Sequence, residues 1–139
     1  MQFEYKIEGG DFSNAGLASS QVKRVLKQLN VDPKTIKRVV VCLYEAEVNI
    51  VAHAFRGTIY SDIDTERIVM KLVDEGPGIA DIPLAMQKGY STASAEVREM
   101  GFGAGMGLPN IENNADELKI NSVINQGTTV EIVVYLNRQ

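Results

Sequence analysis

Four glycines fall within seven residues in the stretch 101–110, which reads GFGAGMGLPN and runs directly into a helical pattern. Glycine allows positive φ and lets other groups approach the backbone closely. Backbone N–H groups that lead into a helix N-terminus bind anions such as phosphate. The stretch lacks the Gly-Lys-Ser/Thr of a P-loop and does not fit G-x-G-x-x-G. These residues therefore favour either a phosphate-binding loop or a plain flexible lid or hinge.

Polar side chains on an otherwise apolar helical segment are a second place where chemistry is possible. Glu45 and Asn49 are four residues apart and share a helix face, with His53 one turn further on. Buried groups of this kind cost free energy unless each has a partner. They form either a satisfied polar network or a site in which Asn49 gives an oxygen to Mg²⁺ and Glu45 orients or deprotonates a hydroxyl. Glu47 lies off this face and is expected to be solvated.

Two turn sequences add further polar groups. Asp74 opens DEGPGI, where Gly76 and Gly78 leave room for a flat base against the backbone and the carboxylate can bind its amino group. The same sequence is ordinary turn chemistry. Gly127-Thr128-Thr129 lies at a predicted hairpin and is also a common turn sequence. Neither turn is specific when taken alone.

The N-terminal third of the chain predicts a strand followed by two helices. Residues 3–7 alternate between apolar and polar types, which is typical of a half-buried strand. Apolar residues at helical spacing predict a first helix, with Asp11 or Ser13 as its cap. Asp32 is a natural N-cap before a proline, and it predicts a second, central buried helix over residues 33–55.

The rest of the chain predicts strands and one more helix. Residues 79–100 show only weak helical periodicity, and a connection of that length is usually functional or mobile. The strands are predicted over residues 67–73, 118–124 and 128–136, with a short strand within 57–64 and a helix over 108–116. This order predicts an α+β fold, a two-layer sandwich of a mixed, mostly antiparallel sheet with helices on one face. We expect a single domain over residues 1–139.

Composition excludes several classes of protein. The chain has 139 residues, of which 45% are hydrophobic and 23% charged, values typical of a soluble globular domain. No apolar run approaches the roughly 20 residues that span a bilayer. A net charge of −4 with no basic cluster argues against nucleic acid as the main partner. The single Cys42 and an N-terminus without a signal pattern predict a cytoplasmic protein.

Taken in order, these patches resemble the N box and the three glycine boxes of the GHKL ATPase superfamily. The resemblance covers residues 39–134. The matching motifs are Glu45-x-x-x-Asn49, Asp74-x-Gly76-x-Gly78, Gly103-x-Gly105-Met-Gly107-Leu108 and Gly127-Thr128-Thr129. Within the superfamily the chain most resembles the bacterial anti-sigma-factor serine/threonine kinases and their switch-kinase branch, which also have lid sequences similar to KGYSTAS at residues 88–94.

The resemblance implies ATP and Mg²⁺ as cofactors. Glu45 is implied as the general base and Asn49 as the Mg²⁺ ligand. A lid over about residues 80–101 is implied to close over the nucleotide; Arg98 is its one arginine, and neither Arg98 nor His53 receives a role. The remaining implied nucleotide-binding residues are Asp74, Gly76, Gly78, Ile79, Gly103, Gly105, Gly107, Leu108 and Thr128.

The implied function is an ATP-dependent serine/threonine protein kinase of the anti-sigma-factor type. It would phosphorylate a small anti-anti-sigma-like regulator, sequester a sigma factor and form a homodimer, with no direct nucleic-acid or membrane partner. We expect residues 3–29 to form the partner face. One alternative is a non-catalytic, ATP-gated binding module. Another is a histidine-kinase-like catalytic domain acting in trans, which the location of the single histidine, His53, within the N box disfavours.

Overall fold

The computed structural model describes residues 1–87 and 107–136. Five strands form one sheet in the order β1-β2-β3-β5-β4. The strands are β1 (Gln2–Glu8), β2 (Arg56–Ile63), β3 (Arg67–Glu75), β4 (Glu117–Val123) and β5 (Gly127–Tyr135). Each of the four neighbouring pairs is antiparallel. The predicted strands are therefore present, and the segment expected to hold a short strand forms the full-length β2.

Four helices accompany the sheet in the described residues, namely α1 (Leu17–Gln28), α2 (Pro33–His53), α3 (Ile82–Ala85) and α4 (Gly107–Asn114). The prediction of a long central helix is confirmed, with Asp32 at the N-cap position of α2 and a proline in its first turn. Both α1 and α4 pack against α2. Among the helices of the described ranges, none combines the length and apolar character needed to cross a membrane.

The core lies between one face of the sheet and α2. Residues paired directly across antiparallel strands point to the same face, so the alternating pattern of each strand is continued by its neighbours. The sheet contributes Ile59, Ile63, Ile68, Met70, Leu72, Val130, Ile132 and Val134, and α2 contributes Val39, Leu43, Ala46 and Ile50. This arrangement confirms the predicted two-layer sandwich with helices on one face.

Glu47 lies inside the protein, and the expectation that it is solvated is wrong. Its side chain is on the α2 face that meets α1, and the residue is only 2% exposed. Its Oε2 accepts the N–H groups of Gly16 (3.0 Å) and Ala18 (3.2 Å), and its Oε1 accepts the N–H of Ser19 (3.3 Å). Burial raises the pKa of Glu47, whereas these hydrogen bonds act to lower it. A carboxylate of α2 therefore caps the N-terminus of α1.

The start of α1 corrects a second expectation. The helix begins at Leu17, with Gly16 in the N-cap position at a φ of 97°. Asp11 instead accepts hydrogen bonds from the side chains of Ser13 (3.1 Å) and Asn14 (2.8 Å) in the preceding turn. The predicted caps, Asp11 and Ser13, thus organise the turn before α1 and do not cap the helix.

Replacing Glu47 with alanine should destabilise the fold strongly. The change leaves three backbone donors of α1 without their acceptor, so we expect the free energy of unfolding to fall by about 2–4 kcal/mol. Glu45→Ala is the matched control, because Glu45 lies two residues away on the same helix and is only half-buried. Its loss should cost less than about 1 kcal/mol. Urea unfolding of both variants checks this, and equal costs would contradict the proposed cap.

Candidate functional site

One end of the candidate site is built around Asp74, which is the second-last residue of β3. Its Oδ1 accepts the N–H of Thr128 at 3.0 Å. Among the residues that the structure describes, none donates to its Oδ2. Burial raises the pKa of Asp74, and the bond from Thr128 opposes that effect. The remaining oxygen of this half-buried carboxylate can accept an N–H from a ligand, and an exocyclic amino group of a base fits that requirement.

Ser122 on β4 is a residue that the sequence analysis missed. Its Oγ accepts the N–H of Ile79 at 2.7 Å and lies 2.9 Å from the Oγ1 of Thr128. It also donates to the carbonyl oxygen of Gly127 at 3.2 Å. These bonds fasten the segment after Gly78 to the β4–β5 hairpin. A serine in a strand gives no signal of such a role, because its partners are fixed only when the strands pair.

Two glycines allow the backbone segments at this end to touch. A Cβ on Gly127 would lie 2.0 Å from the carbonyl oxygen of Asp74. Gly78 has a φ of 79°, and a Cβ there would lie 2.6 Å from the carbonyl oxygen of Val123. The N–H of Asn125 also donates to the carbonyl of Pro77 at 2.9 Å. The turn after β3 and the β4–β5 hairpin therefore form one unit.

Gly76 joins this unit to the C-terminus of α2. A Cβ on Gly76 would lie 3.1 Å from the Cα of Ala54 and 3.5 Å from the carbonyl oxygen of His53. Burial lowers the pKa of His53, which favours the neutral imidazole. The contact places the Asp74 end of the site directly beyond the last turn of the helix that carries Glu45 and Asn49.

The other end of the site is formed by α2 and α4. A Cβ on Gly107 would lie 2.9 Å from the Oδ1 and 3.2 Å from the Nδ2 of Asn49. Glycine at this position therefore lets the backbone at the start of α4 lie directly against the amide of Asn49. Leu108 is 9% exposed and belongs to the hydrophobic core, so its side chain holds the start of α4 in place.

Glu45 lies beside the next turn of α4. The amide Nδ2 of Asn110 donates to its Oε1 at 3.4 Å. The far end of α4 is held by Arg38, whose Nε donates to the carbonyl of Asn114 at 3.1 Å. The same guanidinium is 3.0 Å from a carboxylate oxygen of Asp116, whose side chain is 4% exposed. Asn110 was not predicted, since its contact with Glu45 joins positions 65 residues apart.

These contacts follow α2 in one line. Glu45, Asn49 and His53 occupy successive turns, which spans about 12 Å along the helix axis, and the Asp74 unit continues the line beyond it. No group of three His, Cys, Asp or Glu side chains in the described ranges is arranged to hold a metal ion. Mg²⁺ bound through phosphate and water needs few protein ligands, and a side-chain amide oxygen such as that of Asn49 is a suitable one.

Several predicted site residues lie outside the described residues. They are Gly103, Gly105 and the part of the predicted lid from residue 88 onward, which contains Arg98, a residue without an assigned role. Their roles stay predictions.

Comparison with protein families gives one match over most of the chain. Residues 11–134 match the family described as "Histidine kinase-like ATPase domain". An anti-sigma F factor from Caldanaerobacter subterraneus is 31% identical over 130 residues, which cover 90% of this chain and 87% of that protein. The serine/threonine-protein kinase RsbT from Bacillus subtilis is 31% identical over 125 residues, which cover 86% of this chain and 88% of that protein.

Solved structures show the same fold at low sequence identity. The RsbU and RsbW domains of Rv1364c from Mycobacterium tuberculosis match all of this chain with a TM-score of 0.65 and 15% identity, and this chain spans 33% of that one. The mycobacterial sensor histidine kinase MprB matches with a TM-score of 0.55 and 14% identity, over 97% of both chains.

The close approach at Gly78 is tested by comparing Gly78→Ala with Gly10→Ala. Both glycines have nearly the same positive φ, 79° and 80°, but a Cβ on Gly10 would meet nothing within 4 Å. Gly10→Ala should therefore cost only the backbone strain, about 1–2 kcal/mol. Gly78→Ala should cost at least about 2 kcal/mol more, because the methyl group meets Val123. Urea unfolding measures both, and equal losses would show that the hairpin contact is unimportant.

Proposed function

The chain belongs to the histidine kinase-like ATPase domain family, and we propose that it is an ATP-dependent serine/threonine protein kinase of the anti-sigma-factor type. The observation that carries this proposal is the line of contacts along α2 that runs from Glu45 through Asn49 to the Asp74 unit. Two relatives support the choice of kinase class, since one is named an anti-sigma F factor and the other a serine/threonine-protein kinase. The proposal extends to a small anti-anti-sigma-like protein as substrate, to a sigma factor as a second partner and to a homodimer.

The adenine end of the proposed site is the Asp74 unit. Asp74 Oδ2 would accept a hydrogen bond from the adenine amino group, while the N–H of Thr128 donates to Oδ1. Ser122 fixes the backbone of Ile79, which follows the glycine turn against which the base lies. This arrangement explains why the fold keeps a half-buried carboxylate at a position where burial raises its pKa.

The reacting end is the α2–α4 contact. Mg-ATP, when bound, would supply the phosphoryl group that passes to the hydroxyl oxygen, with ADP as the leaving group. Asn49 would hold Mg²⁺ through its amide oxygen, beside the start of α4 at Gly107. Glu45 takes the proton of the attacking serine or threonine hydroxyl, and the amide of Asn110 orients its carboxylate. Phosphoryl transfer depends mainly on positioning and charge stabilisation, which these few groups can provide.

Asp74→Asn should separate nucleotide binding from folding. The Asn carbonyl oxygen can still accept the Thr128 N–H, but its NH₂ group then faces the adenine amino group, donor against donor. We expect ATP affinity to fall at least about thirty-fold, from loss of a charged hydrogen bond and this mismatch. Isothermal titration of both proteins with Mg-ATP measures the change, and unchanged affinity would remove Asp74 from the site.

The same variant has a defined effect on stability. Because burial raises the pKa of Asp74 in the folded state, the folded protein binds this proton more tightly than the unfolded chain does. The stability linked to that proton is fully present below the unfolded pKa and is lost as the pH rises through the folded pKa. At neutral pH, Asp74→Asn should therefore be at least as stable as wild type in urea, with a smaller advantage in acid. A variant that unfolds more easily than wild type at neutral pH contradicts this account.

Transfer of phosphate from radiolabelled Mg-ATP tests the proposed activity. Wild type, Glu45→Ala and Glu45→Gln are incubated with lysate of the source cell, and nucleotide binding is followed in parallel. We expect wild type to label a small protein on serine or threonine. Both Glu45 variants should bind ATP normally and transfer phosphate at least about a hundred-fold more slowly.

The other outcomes of this assay are equally informative. Tight ATP binding without transfer by wild type would favour an ATP-gated binding module over a kinase. Labelling on histidine would favour the histidine-kinase-like alternative. Failure of wild type to bind ATP would remove the nucleotide site itself.

A further inference from the structure

The first two helices carry a charge opposite to that of the rest of the chain. Residues 12–44 contain six of the 14 lysine and arginine residues but one of the 18 aspartate and glutamate residues. The formal charge of this segment is therefore +5, whereas the remainder carries −9. The net charge of −4 is the sum of these two opposite charges and does not show how they are distributed along the chain. The basic residues form no cluster in the sequence, because they are spread along two helices that the fold places side by side.

Helix periodicity brings part of this charge to one groove. On α1, Ser20, Lys23 and Lys27 lie three or four residues apart and so share one edge of the helix. Ser20 and Lys23 on this edge line a cavity together with Val40 and Tyr44 of α2. On α2, Lys37 and Tyr44 share the edge that borders α1, one turn to either side of Val40. The three lysines are exposed. We define the basic groove as the space between these two edges.

A cavity of about 460 Å³ opens at one end of the basic groove. Its lining combines the polar Ser13, Asn14, Ser19, Ser20 and Lys23 with the apolar surfaces of Leu17, Val40 and Tyr44. Tyr44 is 38% exposed although it is a large aromatic residue in the middle of a packed helix. Exposed apolar surface of this kind beside charged residues is typical of a binding site.

The cavity does not have the features of a simple anion site. The N–H groups at the start of α1 that would attract an anion are already bound by the carboxylate of Glu47. The positive charge instead comes from Lys23 at the rim, and the walls include the apolar surfaces of Val40 and Tyr44. A ligand segment with an apolar side chain flanked by carboxylates complements both the apolar walls and the positively charged rim.

We propose that the basic groove docks an acidic segment of a partner protein, with one apolar side chain of that segment in the cavity. Carboxylates of the segment face Lys23, Lys27 and Lys37. A second copy of this chain in the same groove would set lysines against lysines, so charge complementarity selects a different, acidic partner. The strongly acidic remainder of the molecule disfavours polyanions such as nucleic acid. The proposal goes beyond the kinase activity, since Glu45, Asn49 and Asp74 do not line the groove.

The test uses short fluorescein-labelled peptides and fluorescence anisotropy. The probe is a peptide of glutamate and serine with a single central leucine; one matched peptide replaces that leucine with alanine and another replaces the glutamates with lysine. We expect saturable binding of the acidic leucine peptide only, weaker with alanine, and a decline as NaCl is raised from about 0.05 M to about 0.3 M. Equal binding of the lysine peptide, or no binding of the probe, would overturn the proposal.

Lys23→Glu and Arg24→Glu form a matched pair of variants. Both residues are exposed neighbours on α1 and the charge change is identical, but only Lys23 lines the cavity. We expect Lys23→Glu to weaken binding of the acidic leucine peptide about ten-fold and Arg24→Glu about two-fold at most. Equal losses would mean that net charge, and not the groove, attracts the peptide. Both variants should bind Mg-ATP as wild type does, which separates this test from that of the kinase.

Tyr44→Ala tests the apolar half of the proposal. Loss of this wall should weaken binding of the leucine peptide at least about five-fold and leave the weaker alanine peptide nearly unchanged. Circular dichroism checks that the variant is folded; Val40→Ala provides a second, smaller change in the same wall. Sedimentation with phosphatidylserine vesicles is run in parallel. Vesicle binding that exceeds peptide binding and is lost in Lys23→Glu would assign the groove to a lipid surface and overturn a protein partner.

Discussion

Helix α2 packs its apolar face on the sheet, and the contacts of the other helices follow from that packing. A helix buried on one face still has two flanks, and both flanks of α2 carry polar side chains. Glu47 on one flank binds the N-terminus of α1, and Glu45 on the other contacts Asn110 of α4. Each acidic group thus has a neighbouring helix as its partner, which limits the cost of placing carboxylates beside a hydrophobic core.

The candidate site contains a carboxylate, that of Asp74, whose partial burial does not stabilise the fold. Asp74 is half-buried and holds only one backbone N–H among the described residues, and burial raises its pKa. A stable fold alone would be served as well by asparagine, which can accept the same bond. The glycines at positions 78 and 127 allow the close contact between the two turns that creates this environment. Such local conflicts between folding and chemistry are expected at functional sites.

Local pattern predicts the elements, whereas long-range contacts decide the environment of single residues. Alternation and periodicity were sufficient for the strands and for α2, because both signals are carried by neighbouring residues. Glu45 and Glu47 have the same side chain and lie on the same helix. Their spacing of two residues shows that they face different sides of the helix, but it does not show which side is buried. That Glu47 is buried depends on where α1 begins, 28–31 residues earlier. Ser122 and Asn110 gain their roles in the same way, from strand pairing and helix packing.

The basic groove and the candidate nucleotide site lie on different flanks of one rigid helix. Tyr44 and Glu45 are consecutive, so they are separated by about 100° around α2, or about 10 Å of helix surface. Three residues of extended chain cover that distance. If a partner segment docks beside Tyr44 as proposed, about three further residues of that segment would be long enough to bring a hydroxyl to Glu45. Under the two proposals, docking and chemistry therefore depend on different residues, since lysines carry the proposed docking and a carboxylate and an amide the proposed chemistry.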